Sequence, residues 1–288
     1  MGTILQLLIS GIAMGFIYAL VAIEYTLIWN STGLLNFSHD KIITVGAYIF
    51  AATFIIKFNM NKPLAIVLTF MLMGILGSVI ASGIFNPLRH MRSNIFAVMG
   101  TMMLGRILAE AIRLIYGPVP FTIENWLSGT IKIGTLMVTK ANVIICVVAI
   151  LVVAALQLFM NFTKIGKAMR CVAQNKKAAA LMGINVAQNI CMTTAVSSII
   201  CGGIGMLIRP LFNISTTMAA SIGLKGFSAG VIGGFGYLPG AILGGLFIGV
   251  VENLAVVVLP AVYKDIVSFV LLIIFLLVHP SGFLGKKA

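Results

Sequence analysis

The sequence has few charged residues. Only 9% of its 288 residues are Asp, Glu, Lys or Arg, whereas soluble domains carry roughly 25%. Hydrophobic residues make up 60% of the chain, and only six residues are acidic. So few charged side chains do not suffice to cover a water-exposed surface, which excludes a soluble domain. Continuous apolar runs, near the roughly 20 residues of a spanning helix, predict an all-α polytopic membrane protein. Their lack of alternation argues against a β-barrel.

Cysteine and catalytic motifs are also sparse. The four cysteines, Cys146, Cys171, Cys191 and Cys201, form no CxxC or Cys/His spacing, so we interpret them as small buried hydrophobic residues. The three histidines lie far apart, and no GxxxxGK[ST] phosphate-binding loop occurs. We therefore expect no catalytic residues, no metal site and no directly bound cofactor. If ATP drives this protein, the ATPase must be another chain.

The net charge of +13 would suggest a nucleic-acid partner in a soluble protein. Here the basic residues lie between apolar runs, so the positive-inside rule explains them and we expect no nucleic acid. Three basic clusters should be cytoplasmic, including the C-terminus: Arg89, His90 and Arg92; Lys164, Lys167, Arg170, Lys176 and Lys177; Lys286 and Lys287. The unclustered segment 120–140, with Glu124, Trp126, Lys132 and Lys140, should lie outside.

Apolar segments fall at about 4–28, 42–57, 63–85, 94–116, 141–160, 188–212, 238–259 and 263–279. We expect about eight transmembrane helices in a single domain, 1–288, and the first is interpreted as a retained helix, not a signal peptide. The assigned orientation also requires the chain to cross the membrane between 212 and 238. That stretch is rich in Gly and Ser, which predicts a broken or re-entrant segment bordered by protein or a wet cavity. The orientation of the N-terminus stays open, because no Lys or Arg precedes Lys41.

Two interrupted stretches resemble each other. Gly33–Ser38 reads GLLNFS and Gly223–Ser228 reads GLKGFS, so four of six residues match. Paired broken segments in the two halves of a chain are typical of a transport pathway built from repeats. We predict a substrate pathway or gate formed by Asn36, Phe37, Ser38, His39, Gly223, Gly226, Phe227 and Ser228. A compatible alternative is an interfacial loop in which Asn36 and Ser38 cap the following helix.

Charged residues within the apolar runs should not face lipid. Arg106, Glu110 and Arg113 have helical spacing, so we expect them to pair and to face the interior of the bundle. Glu252 and Asn253 are interpreted as a packing or subunit contact, or as cavity residues. Glu24 and Asp265 lie nearer to helix ends, where snorkelling would account for them.

The basic loop at about 161–187 is too long and too well patterned for a mere connection. Its small residues recur at helical spacing, which predicts a short helix-turn-helix on the cytoplasmic face, with Gly183 ending the second helix. Such an element would suit docking to a motor subunit. The alternative is a basic helix held by the headgroups of anionic membrane lipid.

Several motifs together resemble the permease subunits of branched-chain amino-acid ABC importers, over essentially the full chain. The first is Gly-x-x-Asn36-Phe37-Ser38-His39, followed by Gly46-Ala47-Tyr48. The second runs from Thr163-x-x-Gly166-x-Ala168-x-Arg170 to Ala179-x-x-x-Gly183-Ile184, and the third is Gly223-Leu224-Lys225-x-Phe227-x-Ala229. Two positions depart from the family: Asp40-Lys41 replaces Gly-Glu, and Lys177 replaces the Glu of the Glu-Ala-Ala-x3-Gly coupling element.

The resemblance implies an ABC importer permease fold in a bacterial cytoplasmic (inner) membrane. It implies a homologous second permease subunit, two ATP-binding subunits and an extracytoplasmic substrate-binding protein as partners. It also implies that ATPase coupling involves Gly166, Ala168, Arg170, Ala178, Ala179 and Gly183.

The expected cargo is a branched-chain or other small hydrophobic amino acid. Related permeases for urea or short amides, and less readily a stand-alone secondary transporter or channel, remain alternatives. A membrane-embedded enzyme would need clustered His or carboxylates at one depth, which the sequence does not reveal.

Overall fold

The structure, a computed structural model, describes residues 2–89, 94–122, 129–133, 136–279 and 281–285. Eight helices in these ranges are long and apolar enough to cross a membrane: Ile4–Thr32, His39–Lys57, Lys62–Leu88, Ile95–Tyr116, Lys140–Phe162, Val186–Ile208, Leu238–Ala255 and Ala261–Val278. They coincide with the eight predicted apolar segments. The prediction of an all-α polytopic membrane protein is confirmed.

The helices follow the chain in this order: α1 (Gly2–Thr32), α2 (His39–Tyr48), α3 (Lys62–Ile80), α4 (Asn86–Leu88), α5 (Asn94–Tyr116), α6 (Lys140–Phe162), α7 (Lys164–Gln174), α8 (Lys176–Leu181), α9 (Val186–Ile208), α10 (Ala220–Gly233), α11 (Leu238–Ala255) and α12 (Lys264–Val278). Wider π-helical turns continue α2 over Ile49–Lys57 and join α3 to α4 over Ala81–Phe85. A 3-10 turn, Ala261–Tyr263, precedes α12. An antiparallel hairpin between α5 and α6, which the sequence analysis did not predict, pairs β1 (Thr130–Ile133) with β2 (Leu136–Thr139).

Small residues bring α1 and α11 into close contact. Gly11 and Gly15 on α1 face Gly245 and Gly249 on α11, each pair spaced by four residues. A Cβ added to Gly11 would lie 2.9 Å from the carbonyl oxygen of Gly249. Small residues at such spacing let the backbones of membrane helices approach, and packing then replaces the hydrophobic effect as the source of stability. This contact places α1 at the centre of the bundle.

The Gly-rich stretch between α9 and α11 is broken, as predicted. It contains turns over residues 209–219, one isolated bridge between Phe121 and Ile214, and then α10. α10 has 14 residues, which span about 21 Å, whereas the hydrocarbon core of a bilayer is about 30 Å thick. Gly234, with φ of +104°, ends the helix in a conformation that favours glycine.

Several residues used to predict orientation lie outside the described part of the chain. They are His90, Arg92, Glu124, Trp126, Lys286 and Lys287, and the side chain of Lys132 is not described either. The sidedness of the loops and of the C-terminus therefore stays a prediction.

Candidate functional site

The first interruption is a turn held by its own side chains. Gly33, with φ of +71°, follows α1, and residues 34–38 are not helical. The Asn36 side-chain oxygen accepts hydrogen bonds from the backbone N–H of Ser38, at 3.0 Å, and from its hydroxyl, at 2.6 Å. Thr101 of α5 accepts from the backbone N–H of Phe37 at 3.3 Å. Ser38 is the N-cap of α2 but makes no side-chain capping bond, so Asn36 shapes the turn instead.

The second interruption packs against the first. A Cβ on Gly223 would lie 3.0 Å from the Cβ of Asp40, one residue beyond His39. The ring of Phe227 lies 6.0 Å from the ring of Phe37 and 5.6 Å from that of Tyr25 on α1. The two stretches, which were compared only because their sequences GLLNFS and GLKGFS are similar, therefore contact each other in the folded chain.

The other predicted pathway residues are buried against the bundle. Gly226 packs on Val21 of α1, where a side chain would collide. Ser228 is fully buried, and its hydroxyl donates to the carbonyl of Leu224 in the same helix at 3.0 Å. Asn36 and His39 are also buried. The arrangement forms a contact between the two interruptions.

A buried polar cluster surrounds His39. The thiol of Cys201 on α9 donates to a Glu24 carboxylate oxygen at 2.9 Å, and the same oxygen lies 3.6 Å from Nδ1 of His39. All three residues have at most 1% of their side chains exposed. The prediction that Glu24 snorkels from a helix end was wrong, because α1 extends to Thr32 and places Glu24 inside the bundle. A carboxylate within an apolar run was the available signal.

A second buried cluster lies on α10, α11 and α12. Lys225 pairs with Glu252 at 2.8 Å and with Asp265 at 2.7 Å. Glu252 also accepts hydrogen bonds from the hydroxyls of Tyr18 and Ser268, each at 3.1 Å. The predicted pathway set omitted Lys225, although a lysine in a buried, Gly-rich segment already indicated a need for an acidic partner. A cavity of about 620 Å³ borders this cluster.

The charges of α5 lie differently from the prediction. Arg113 and Glu110 pair at 3.1 Å, as expected, but their side chains are 51% and 60% exposed. Arg106 is exposed as well. These charged residues do not face the interior of this chain. The buried face of α5 is formed by other residues, such as Thr101, Leu104 and Ile112.

The basic loop forms two short helices with distinct caps. The Thr163 hydroxyl accepts from the N–H of Gly166 at 2.9 Å, and the Asn175 side chain accepts from the N–H groups of Lys177 and Ala178. The predicted coupling residues divide by burial: Gly166 and Ala179 are buried, Ala168 is half-buried, and Arg170, Ala178 and Gly183 are exposed. Leu181 and Met182 are also 89% and 83% exposed.

The first interruption lies beside these helices. A Cβ on Gly33 would lie 2.9 Å from the ammonium nitrogen of Lys176, the first residue of α8. Burial, together with repulsion by the neighbouring Arg89 charge, lowers the pKa of Lys176. A cavity of about 1080 Å³ lies among residues of α1, α6, α7 and α11, with Arg170 on its wall.

Eight apolar spans among the described residues define a multi-pass membrane protein, in which the two interrupted segments contact each other. The chain belongs to the family described as branched-chain amino acid transport system / permease component, which matches residues 7–276. It is therefore a transport permease.

Relatives cover nearly the whole chain. The high-affinity branched-chain amino acid transport system permease protein LivH of Salmonella typhimurium is 30% identical, with 98% of this chain and 96% of the relative covered. The permease protein BraD of Pseudomonas aeruginosa is 31% identical over the same shares. A probable LivH of Methanocaldococcus jannaschii is 24% identical over 92% of this chain and 88% of that protein.

Proposed function

We propose that this chain is the permease subunit of an ATP-driven importer of branched-chain or other small hydrophobic amino acids. The single observation that supports this best is the full-length similarity to LivH and BraD, whose names state that transport system. The two interrupted segments, which meet through Phe37 and Phe227, form the gate of the pathway.

The pathway lies where α5 meets a second, homologous permease subunit. Arg106 lies near the middle of the span Ile95–Tyr116 and is exposed on this chain. An arginine at the bilayer centre costs about 3 kcal/mol on insertion scales, so it faces protein or a wet cavity rather than lipid. Gly105, the preceding residue, lies against Ser38 and Lys41 of the first interruption. Helix α5 therefore connects the two regions, because Arg106 on its exposed face meets the subunit contact and Gly105 on its buried face meets the gate.

The helices α7 and α8 dock the ATP-binding subunits on the cytoplasmic side of a bacterial inner membrane. The exposed Leu181 and Met182 supply apolar contact area beside Ala178 and Gly183. Lys176 transmits movement of α8 to Gly33, because its ammonium lies against that glycine. Two ATP-binding subunits hydrolyse the ATP, and an extracytoplasmic binding protein delivers the amino acid. The C-terminus is cytoplasmic.

Reconstitution in liposomes tests the proposal. The chain is combined with its second permease, the ATP-binding subunits and the binding protein, and uptake of labelled leucine, isoleucine and valine is measured with and without ATP. We expect ATP-dependent uptake that excess unlabelled branched-chain amino acid removes. Uptake of urea or acetamide instead would show that the substrate is urea or a short amide. Transport by the chain alone would identify a secondary transporter or channel.

A further inference from the structure

We propose that Glu24, His39 and Cys201 form a binding site for a zinc ion in the interior of the bundle. These residues come from α1, α2 and α9, so they are distant in sequence. One ligand atom from each lies within 4.8 Å of the others. The sequence predicted no metal site because it offered no local Cys/His spacing.

The distances suit a tetrahedral ion. Zinc lies about 2.3 Å from sulfur and about 2.0–2.1 Å from nitrogen or oxygen, so its ligand atoms are separated by about 3.3–3.6 Å. Here the separations are 2.9 Å between Cys201 sulfur and Glu24 oxygen, 3.6 Å between that oxygen and His39 Nδ1, and 3.9 Å between Nδ1 and the sulfur. Changes of about 0.6 Å or less in these separations would place all three atoms at bonding distance.

The cluster also has unused bonding capacity. Among the described residues, no hydrogen-bond partner is found for the second carboxylate oxygen of Glu24 or for Nε2 of His39. Buried polar atoms normally have partners, so each of these needs an explanation. The free oxygen of Glu24 can approach the ion in a bidentate carboxylate, which distorts the tetrahedron because the two oxygens of one carboxylate lie closer together than two of its vertices. Binding through Nδ1 makes Nε2 of His39 an N–H donor that still lacks a partner among the described residues, so the ion accounts for the Glu24 oxygen only.

Charge balance favours a divalent ion. Zinc binding requires the thiolate of Cys201, the carboxylate of Glu24 and neutral His39. The thiol proton leaves to solvent, and two negative ligands then balance the two positive charges of the ion. A neutral site avoids the large penalty of an unpaired charge in a low-dielectric interior. Three protein residues leave one position on the ion for a further ligand, while the burial of all three side chains separates the site from bulk solvent.

The ion would fix the start of α2 relative to α1 and α9. His39 is the first residue of α2 and directly follows the turn that contains Asn36. The zinc site would therefore fix the position of the His39 side of the first interruption. This role is independent of the transported substrate.

Metal analysis of the full-length chain, purified in detergent, tests the proposal. The protein is stripped with a chelator, loaded with zinc and desalted, and bound metal is measured by mass spectrometry. Cobalt loading provides a second readout, since thiolate coordination adds a near-ultraviolet charge-transfer band. We expect one zinc per chain, the cobalt–thiolate band, and an increased thermal midpoint with zinc.

Two variants separate this site from adventitious binding. Cys201→Ser removes the thiolate with little change in volume, and we expect zinc affinity to fall at least about 100-fold, beyond the effect of losing an outer-shell partner. Cys191→Ser is the matched control, because Cys191 lies on the same helix, outside the cluster. It should bind zinc like the wild type. Absence of the cobalt–thiolate band in the wild type, or equal zinc binding by both variants, would refute the site.

Discussion

At the scale of single residues, pairing and burial determine how much stability is lost when one partner of an ion pair is removed. Lys225 is 5% exposed and balances Glu252, which is 4% exposed, whereas Glu110 and Arg113 are more than half exposed. Removing one partner of a buried pair leaves an uncompensated charge in a low-dielectric interior. Removing one partner of an exposed pair leaves a charge that its surroundings still screen.

We predict that Lys225→Met destabilises the protein by about 3–5 kcal/mol, because it leaves Glu252 buried without its cation. Thermal unfolding in detergent measures the effect. Glu110→Gln, the control in an exposed pair, should change stability by no more than about 1 kcal/mol. Adding Glu252→Gln to Lys225→Met should recover part of the loss, since it removes the unpaired carboxylate. Equal effects of the buried and exposed substitutions would contradict this account.

At the scale of elements, the sequence predicted the spans better than the contacts between them. Continuous apolar runs specify which segments cross the membrane. Asn175 marks the start of α8, and Gly183 follows its end. The closeness of Glu24, His39 and Cys201 depends on how three helices pack, which no local pattern encodes. The exposure of Arg106 was missed for the same reason: periodicity identifies one face of a helix but does not identify its neighbour.

Substitutions at Gly183 allow the proposed docking role of α8 to be tested separately from its folding. Gly183 has φ of +84° and open space around an added Cβ. Gly183→Ala should therefore cost about 1–2 kcal/mol through backbone strain alone. Gly183→Trp adds the same strain and a bulky side chain on the exposed surface beside Leu181. We predict that only the tryptophan variant uncouples ATP hydrolysis from uptake.

The measurement compares ATPase activity and amino-acid uptake in the same proteoliposomes. Gly117→Trp is the matched control, because Gly117 has the same φ of +84° and open surroundings but follows α5 instead of α8. It should keep uptake and ATP hydrolysis coupled. Normal coupling in Gly183→Trp would remove the support for docking at this surface.

At the scale of the whole molecule, Arg106, which is exposed near the middle of its span, requires a neighbour within the membrane. Met103 and Ile107 flank Arg106 and are 63% and 65% exposed. If the second permease covers this face, single cysteines at these positions should cross-link to it in membranes. The background carries Cys171→Ser, which removes the exposed native thiol. Ile75→Cys on α3 is the control, since Ile75 is 58% exposed on a helix without such charges. Cross-linking from Ile75 but not from Met103 or Ile107 would place the subunit contact on α3. Arg106 would then have to face a water-filled cavity formed by this chain alone.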